Sequence, residues 1–422
     1  MKLKLMSLAW FWMVANLVLL NSGCAFQGTG ERSAGPAITG ADQVNHKEKD
    51  IVPDPSLPPL PIEKQGIVET LPEDYPDSWV LVNELSFSSM FGGRVIIIDA
   101  AEPRHAKRIK GMVDKSLIGN FTQSRTRNEL YIIETFHERG SRGKRTDVLS
   151  IYNKSTLKIE KEIIWPQPNR IMALPERYSM SLSADEKFMY VSNFSPAASF
   201  TVVDLDKREI VTEISTPGCV LTYPVGRRGV ASICSNGALM NTVVNDDGSV
   251  ASRQMLEPFF DTVKTPVFEH PIYVGNKMYF PSFHGLLHVF DVSTDVIKYE
   301  GRWDMLNPED KAGNWRPSGL VLNDVDESGL MYTIFQPDGH EGSQTHGGSQ
   351  VWVFDLKARK RVRVIDVPNW AISIGVTGGE SPLLVAANGE MNLDVFNAHT
   401  GEFIQTLSDF GNVTPLDIVK AY

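Results

Sequence analysis

Cysteine is scarce in this chain, with three in 422 residues, at positions 24, 219 and 234. That excludes a disulfide-stapled small scaffold and a four-cysteine zinc site. Positive charge is also short, with 41 Lys and Arg against 51 Asp and Glu and a net charge of −10. Phosphate binding wants a positive field, so no nucleic-acid partner is expected. Long apolar runs are missing except for Leu5 to Leu20, and amphipathic helical periodicity is nearly absent. There is no P-loop, no nucleophile elbow and no histidine pair in a helical context.

The single apolar run follows Lys2 and Lys4 and precedes small residues, which is the anatomy of an export signal. It is shorter than the ~20 residues that a membrane-spanning helix needs. "NSGC", ending at Cys24, resembles a bacterial lipoprotein cleavage box, with Asn21 where an aliphatic residue is usual. Simple cleavage and lipidation at Cys24 both stay open. Residues 1–24 are therefore read as a signal peptide, and 25–74, with "VPDPSLPPLPIEK", as a Pro-rich extended tail. An ordered domain is expected over 75–422.

Export leaves Cys219 and Cys234 in an oxidising compartment, where a pair is a disulfide candidate. Apolar segments flank Gly226, Arg227, Arg228 and Gly229, so the two thiols can face each other across a hairpin. Closing a loop of ~15 residues stabilises by about 3 kcal/mol in the chain-entropy model. A metal pair would need further thiol or imidazole ligands, and none is near in sequence.

What is abundant is short apolar strands in a repeated order. "RVIIIDA", "VLSIYNK", "FTVVDLD", "MNTVVND", "LHVFDVS", "VWVFDLK" and "LDVFNAH" each end on an acidic or amide residue. Those residues are Asp99, Asn153, Asp204, Asn245, Asp291, Asp355 and Asn397, roughly 50 residues apart, within the span of propeller repeats. Another strand precedes each and a third often follows, as in "KIEKEIIWP" and "RVRVIDVP". Seven copies predict an all-β, seven-bladed β-propeller. The recurring Asp and Asn read as turn formers, whose side chains bond nearby backbone groups.

No catalytic constellation emerges. His284 and His288 fall at strand spacing without a third ligand, and His340 and His346 lie in the Gly-rich "GHEGSQTHGG" without structural zinc spacing. No metal site and no catalytic residue is expected. The conspicuous exception to the acidic balance is "FHERGSRGKRTDVLSIYN", Phe136 to Asn153, which concentrates Arg139, Arg142, Lys144 and Arg145 between two strands.

That segment, with "LKIEKEIIWP", "SPAASFTVVDL", the Cys219–Cys234 spacing, "LNPEDKAGNWRPSG" and "QPDGHEGSQTHGGSQVWVFDLK", resembles the heavy chains of the quinone-dependent amine dehydrogenases. The likeness is first to aromatic amine dehydrogenase and next to methylamine dehydrogenase, and runs from about Trp79 to the C-terminus. "NWRPSG" stands between the two branches, which leaves open whether the amine is aromatic or aliphatic.

The resemblance implies a heavy chain with no cofactor of its own. It implies a small light chain carrying tryptophan tryptophylquinone, an α2β2 heterotetramer in the periplasm, and oxidation of small primary amines to aldehyde and ammonia. Electrons then pass to an azurin- or amicyanin-like blue-copper protein. It also implies that Phe87, with Met90 and Phe91, borders the substrate channel, and that Arg139, Arg142, Lys144 and Arg145 meet the light chain or another subunit. Two other classes stay open: a stand-alone exported binding or assembly propeller, possible with or without a lipid anchor, and a metal-dependent propeller hydrolase such as a lactonase. The last would need inward-facing carboxylate or imidazole ligands, which the sequence does not display.

Overall fold

The computed structural model describes residues 70–86, 92–171, 176–408, 410 and 413–422. Strands dominate, and among the described residues they fall into six antiparallel sheets that build the seven blades of a ring. Blade 2 illustrates the unit: an inner strand Asn120–Gln123, then Glu129–Arg139, Arg142–Asn153 and an outer strand Ile159–Ile164. Blades 3, 4 and 5 repeat this order, starting at Met180, Cys219 and Ile272. Blades 6 and 7 form one continuous eight-stranded sheet, because the strand Lys360–Val376 serves first as the outer strand of blade 6 and then as the inner strand of blade 7. Blade 1 takes its inner strand, Thr414–Lys420, from the C-terminus and the rest from Trp79–Leu85, Gly93–Asp99 and Ile109–Lys115. Its register, Val80 against Lys420 and Val82 against Ile418, closes the ring. Closure leaves few sheet edges open to another strand.

The strand sequences are apolar on both faces for a physical reason. In "RVIIID", Ile96 and Ile98 pack with Val385, Ala387 and Val395 of blade 7, while Val95 and Ile97 pack with Phe121, Leu130 and Ile132 of blade 2. Successive side chains point to opposite faces, and both faces of a blade are covered by neighbours. Outer strands have only half of this burial, so Val250–Met255 is exposed along its whole length.

All seven turns predicted from the Asp and Asn residues lie on one face of the ring, between third and fourth strands. At Asp99, Asn153, Asp204, Asp291, Asp355 and Asn397 the side-chain oxygen accepts a backbone N–H two or three residues further on. Asn245 differs, donating from Nδ2 to Ser249 Oγ at 3.0 Å. These residues make turns, and the opposite face is left for longer connections.

Candidate docking face and axial cluster

On that opposite face the second strand of each blade turns into the third, and the outer strand crosses to the next blade. Blade 2 carries its longest projection. The inner strand stops pairing at Ile133 and the outer strand at Val148, yet the two middle strands stay paired out to Arg139 and Arg142. The basic segment is thus a β-hairpin arm standing beyond its own sheet.

The arm's root is firmly held. Asp147 is fully buried and receives both Nε and Nη2 of Arg145 at 2.9 Å, the Thr135 hydroxyl at 2.7 Å and the Arg170 backbone N–H at 3.0 Å. Arg170, itself buried, donates to Thr135 Oγ1 and to the Ile118 carbonyl. Beyond the root the arm is open to solvent. Arg139, Arg142 and Lys144 are exposed, and their side-chain nitrogens have no hydrogen bond or ion pair among the described residues. Arg145 therefore differs from the other three predicted arm cations: its guanidinium is committed inside the fold.

Exposed apolar side chains share this face in neighbouring blades. Phe136 is 45 % exposed at the arm's base, and Phe194 is 63 % exposed in the corresponding turn of blade 3. In blade 7, Trp370 and Met391 are also exposed, both with backbone φ of 63°. A positive φ is unusual for a bulky residue and is seen where surroundings enforce it. Here Trp370 Nε1 donates to the His346 carbonyl at 2.6 Å, and Gly389 N donates to the Asn369 carbonyl. Blade 1 lies between blades 7 and 2, and its strands Trp79–Leu85 and Gly93–Asp99 are joined on the same face. Phe87, Met90 and Phe91 belong to that connection and lie outside the described residues.

Next to Gly93, where the third strand of blade 1 begins, sits a buried cation that sequence reasoning did not identify. Lys115 is 4 % exposed, and among the described residues its Nζ bonds only the Ser116 and Leu117 carbonyls, at 3.5 and 3.3 Å. Burial pushes its ammonium down to about 7, opposed by attraction to Glu134 and Glu84 and reinforced by Arg170. Glu84 is paired with Arg94 at 2.7 Å, and Glu134 accepts from Ser116 N and Ser150 Oγ.

A second unforeseen group closes around the ring axis. Arg177, ahead of the inner strand of blade 3, reaches the Asp417 carboxylate of blade 1 at 2.7 Å. Glu176 Oε1 faces His270 Nε2 of blade 5 at 3.1 Å, with angles that fall short of a hydrogen bond. Burial raises the Glu176 carboxyl, with Glu269 and Asp417 adding to the effect. Burial also lowers His270 to about 4, with Arg177 contributing. Both shifts disfavour the charged forms, so burial works against an ion pair at this contact. Tyr178 and Tyr223 cross to the Pro271 and Glu269 carbonyls. The group ties blades 1, 3, 4 and 5 together. Its members are spread over 240 residues of sequence without a motif, so no local signal announced them.

The predicted pair Cys219 and Cys234 is bridged, with Cα atoms 3.9 Å apart on paired strands of blade 4. His288 is buried against Tyr299, its Nδ1 at 3.0 Å from the hydroxyl, and burial brings it down to about 4. It is a core histidine. His284 is partly exposed and contacts Glu341, which Arg316 also holds. Among the described residues no group of three or more His, Cys, Asp or Glu converges as a metal site. The cluster at the axis is an inter-blade tie.

The sequence model of the methylamine dehydrogenase heavy chain family (MADH) matches residues 87–420. The methylamine dehydrogenase heavy chain of Methylobacillus flagellatus is 23 % identical over 311 residues, covering 73 % of this chain and 77 % of the relative. That of Paracoccus versutus is 22 % identical over 307 residues, covering 72 % and 71 %. Among solved structures, a protein of unknown function from Desulfotomaculum acetoxidans superposes with a TM-score of 0.54 at 11 % identity, over 81 % of this chain and 99 % of its own. A 6-phosphogluconolactonase candidate from Bacteroides fragilis gives 0.53 at 10 % identity, over 84 % and 97 %. At those identities the two structures speak for the fold alone.

Proposed function

The chain belongs to the methylamine dehydrogenase heavy chain family, and from that we propose that it is the heavy subunit of a periplasmic quinone-dependent amine dehydrogenase. The observation that carries the reading is the family match over residues 87–420, which spans nearly the whole ring. In this proposal a separate light chain bears tryptophan tryptophylquinone and supplies the redox chemistry. The complex is an α2β2 heterotetramer that oxidises a small primary amine to aldehyde and ammonia. Its electrons go to a blue-copper protein of the azurin or amicyanin kind. The motifs resemble the aromatic amine branch first, and "NWRPSG", standing between the two branches, leaves open whether the amine is aromatic or aliphatic.

This chain's own part is to bind and orient. The arm presents Arg139, Arg142 and Lys144 to an acidic partner, with Arg145 anchoring the root rather than reaching outward. Arg suits such contacts through its planar fork of donors. Phe87, with Met90 and Phe91, is proposed to border the amine channel. Residues 1–24 direct export and 25–74 form the tail ahead of the ring, with lipid attachment at Cys24 as a variant of the same proposal. The Pro-rich segment after Cys24 favours one alternative, an envelope-anchored binding propeller that works without a light chain.

Purification of the native protein separates the two. The subunit reading expects a co-purifying small chain with quinone absorbance, and no amine turnover by the isolated propeller. Turnover by the isolated chain, or a native preparation without any such partner, would sink it.

A further inference from the structure

We propose that His340 and His346 form an open, two-imidazole surface site for one borderline divalent cation, Cu2+ ahead of Zn2+. The two rings stand side by side at the tip of the blade 6 connection, with centres 5.9 Å apart and planes at 70°. Two imidazoles that share an ion with metal–nitrogen bonds of about 2.0–2.1 Å place their ring centres roughly 5 to 6.5 Å apart. The observed spacing falls in that window. Both residues are exposed, and the terminal imidazole torsion is soft, so the rings can turn toward a common point.

The loop beneath them is already organised. Ser343 is fully buried, and its hydroxyl donates to the His340 carbonyl at 2.7 Å and accepts from the His340 N–H at 3.0 Å. Gln336 Nε2 donates to the same hydroxyl and to the Ser343 carbonyl. His346 N donates to the Ser343 carbonyl at 3.1 Å, and Trp370 Nε1 pins the His346 carbonyl from the other side. Metal binding would therefore order little additional backbone.

The tautomer also suits a ligand. His340 Nδ1 lies 3.3 Å from the Asp338 carbonyl. A carbonyl only accepts, so Nδ1 carries the proton and Nε2 keeps its lone pair for a metal, the usual orienting device of metal-bound histidine. The His346 ring has no hydrogen-bond partner among the described residues. The nearby Glu341 carboxylate is occupied by His284 and Arg316, so water completes the coordination and the ion stays exchangeable. Imidazole ligands suit Cu2+ and Zn2+, and the stability order of divalent ions places Cu2+ first. This inference does not depend on the subunit reading.

The test is titration of the full exported chain with ZnCl2 by calorimetry and with CuSO4 by electron paramagnetic resonance. The chain is compared with His340→Ala, His346→Ala and the double variant, all checked for unchanged melting. The expected result is micromolar uptake of one equivalent that weakens at least tenfold in either single variant and is lost in the double variant. The Cu2+ spectrum should show two imidazole nitrogens in the wild type and one in each single variant. Equal stoichiometry and affinity in wild type and double variant would overturn the proposal. So would the absence of any uptake by the wild type at 100-fold molar excess of metal.

Discussion

Replacing Lys115 by Met should stabilise the ring at neutral pH, although it removes a charge that sits among carboxylates. The native ammonium is buried, has two long bonds to carbonyls among the described residues, and is displaced from 10.5 to about 7. In the unfolded chain the same group titrates at its ordinary value, so between about pH 7 and 10.5 the unfolded state binds more protons. Stability must then rise with pH across that window. At 1.36 kcal/mol per pKa unit, the cost of keeping this lysine buried is on the order of 4 kcal/mol at pH 7 and about 2 kcal/mol at pH 9. Methionine fills much of the same volume without a charge to desolvate. It forfeits the attraction to Glu134 and Glu84, which is already counted in the net shift. The expected gain at pH 7 is about 2–4 kcal/mol, or a melting temperature higher by roughly 3–6 °C for a chain of this size. The assay is thermal unfolding of wild type and Lys115→Met at pH 7, 8 and 9. The difference should shrink steadily as pH rises. A variant that melts lower at pH 7, with the same pH slope as the wild type, would refute the reasoning and make Lys115 a net stabilising charge.

Two further outcomes are expected. Reversing the three outward cations of the arm, Arg139, Arg142 and Lys144, to Glu should shift melting by no more than about 4 °C, because exposed charges of this kind contribute ~0–1 kcal/mol each. It should weaken light-chain association tenfold or more at low salt, with much less difference at 0.5 M; unchanged association by analytical ultracentrifugation would remove the arm from the interface. Phe87→Ala should change the ratio of kcat/KM for an arylalkylamine over a short alkylamine by about one to two powers of ten with modest loss of stability. Unchanged selectivity with a melting temperature far below wild type would instead assign Phe87 to the core, where truncation costs about 3–5 kcal/mol.

The ring was legible in the sequence because its logic is local. A blade strand must be apolar on both faces, and a turn must follow it, so "VIIID" and its six relatives carry both signals in a few residues. The Cys219–Cys234 bridge was legible for the same reason, being a contact across one hairpin. Lys115 and the Arg177–Asp417 and Glu176–His270 contacts were not. The two axial contacts depend on residues brought together only when the ring closes, and the burial of Lys115 depends on blade 1 packing against blade 2; no periodicity encodes either. Arg145 shows the limit within a single motif: four basic residues in one short run look alike, yet only the buried Asp147 two residues on decides which of them turns inward.

That division within the arm also bears on what the arm is for. A two-stranded ribbon projecting into water is marginal by itself. Here its base is fixed by a buried carboxylate, a buried Arg170 and the Arg145 fork, with the bonds around Asp147 and Thr135 between 2.6 and 3.0 Å. Removing buried charges from water is costly, and a good pairing geometry offsets that cost rather than exceeding it by much. The isolated ring therefore gains little from this construction. What the construction achieves is direction: it holds Arg139, Arg142 and Lys144 beyond the edge of the sheet, beside the exposed Phe136 and with Glu138 as the arm's own carboxylate. A loop meant only for solvation needs no such footing. A preformed arm reduces the ordering cost paid when a partner binds, and an acidic partner is the one whose charge complements the three cations whose side chains are unpaired among the described residues.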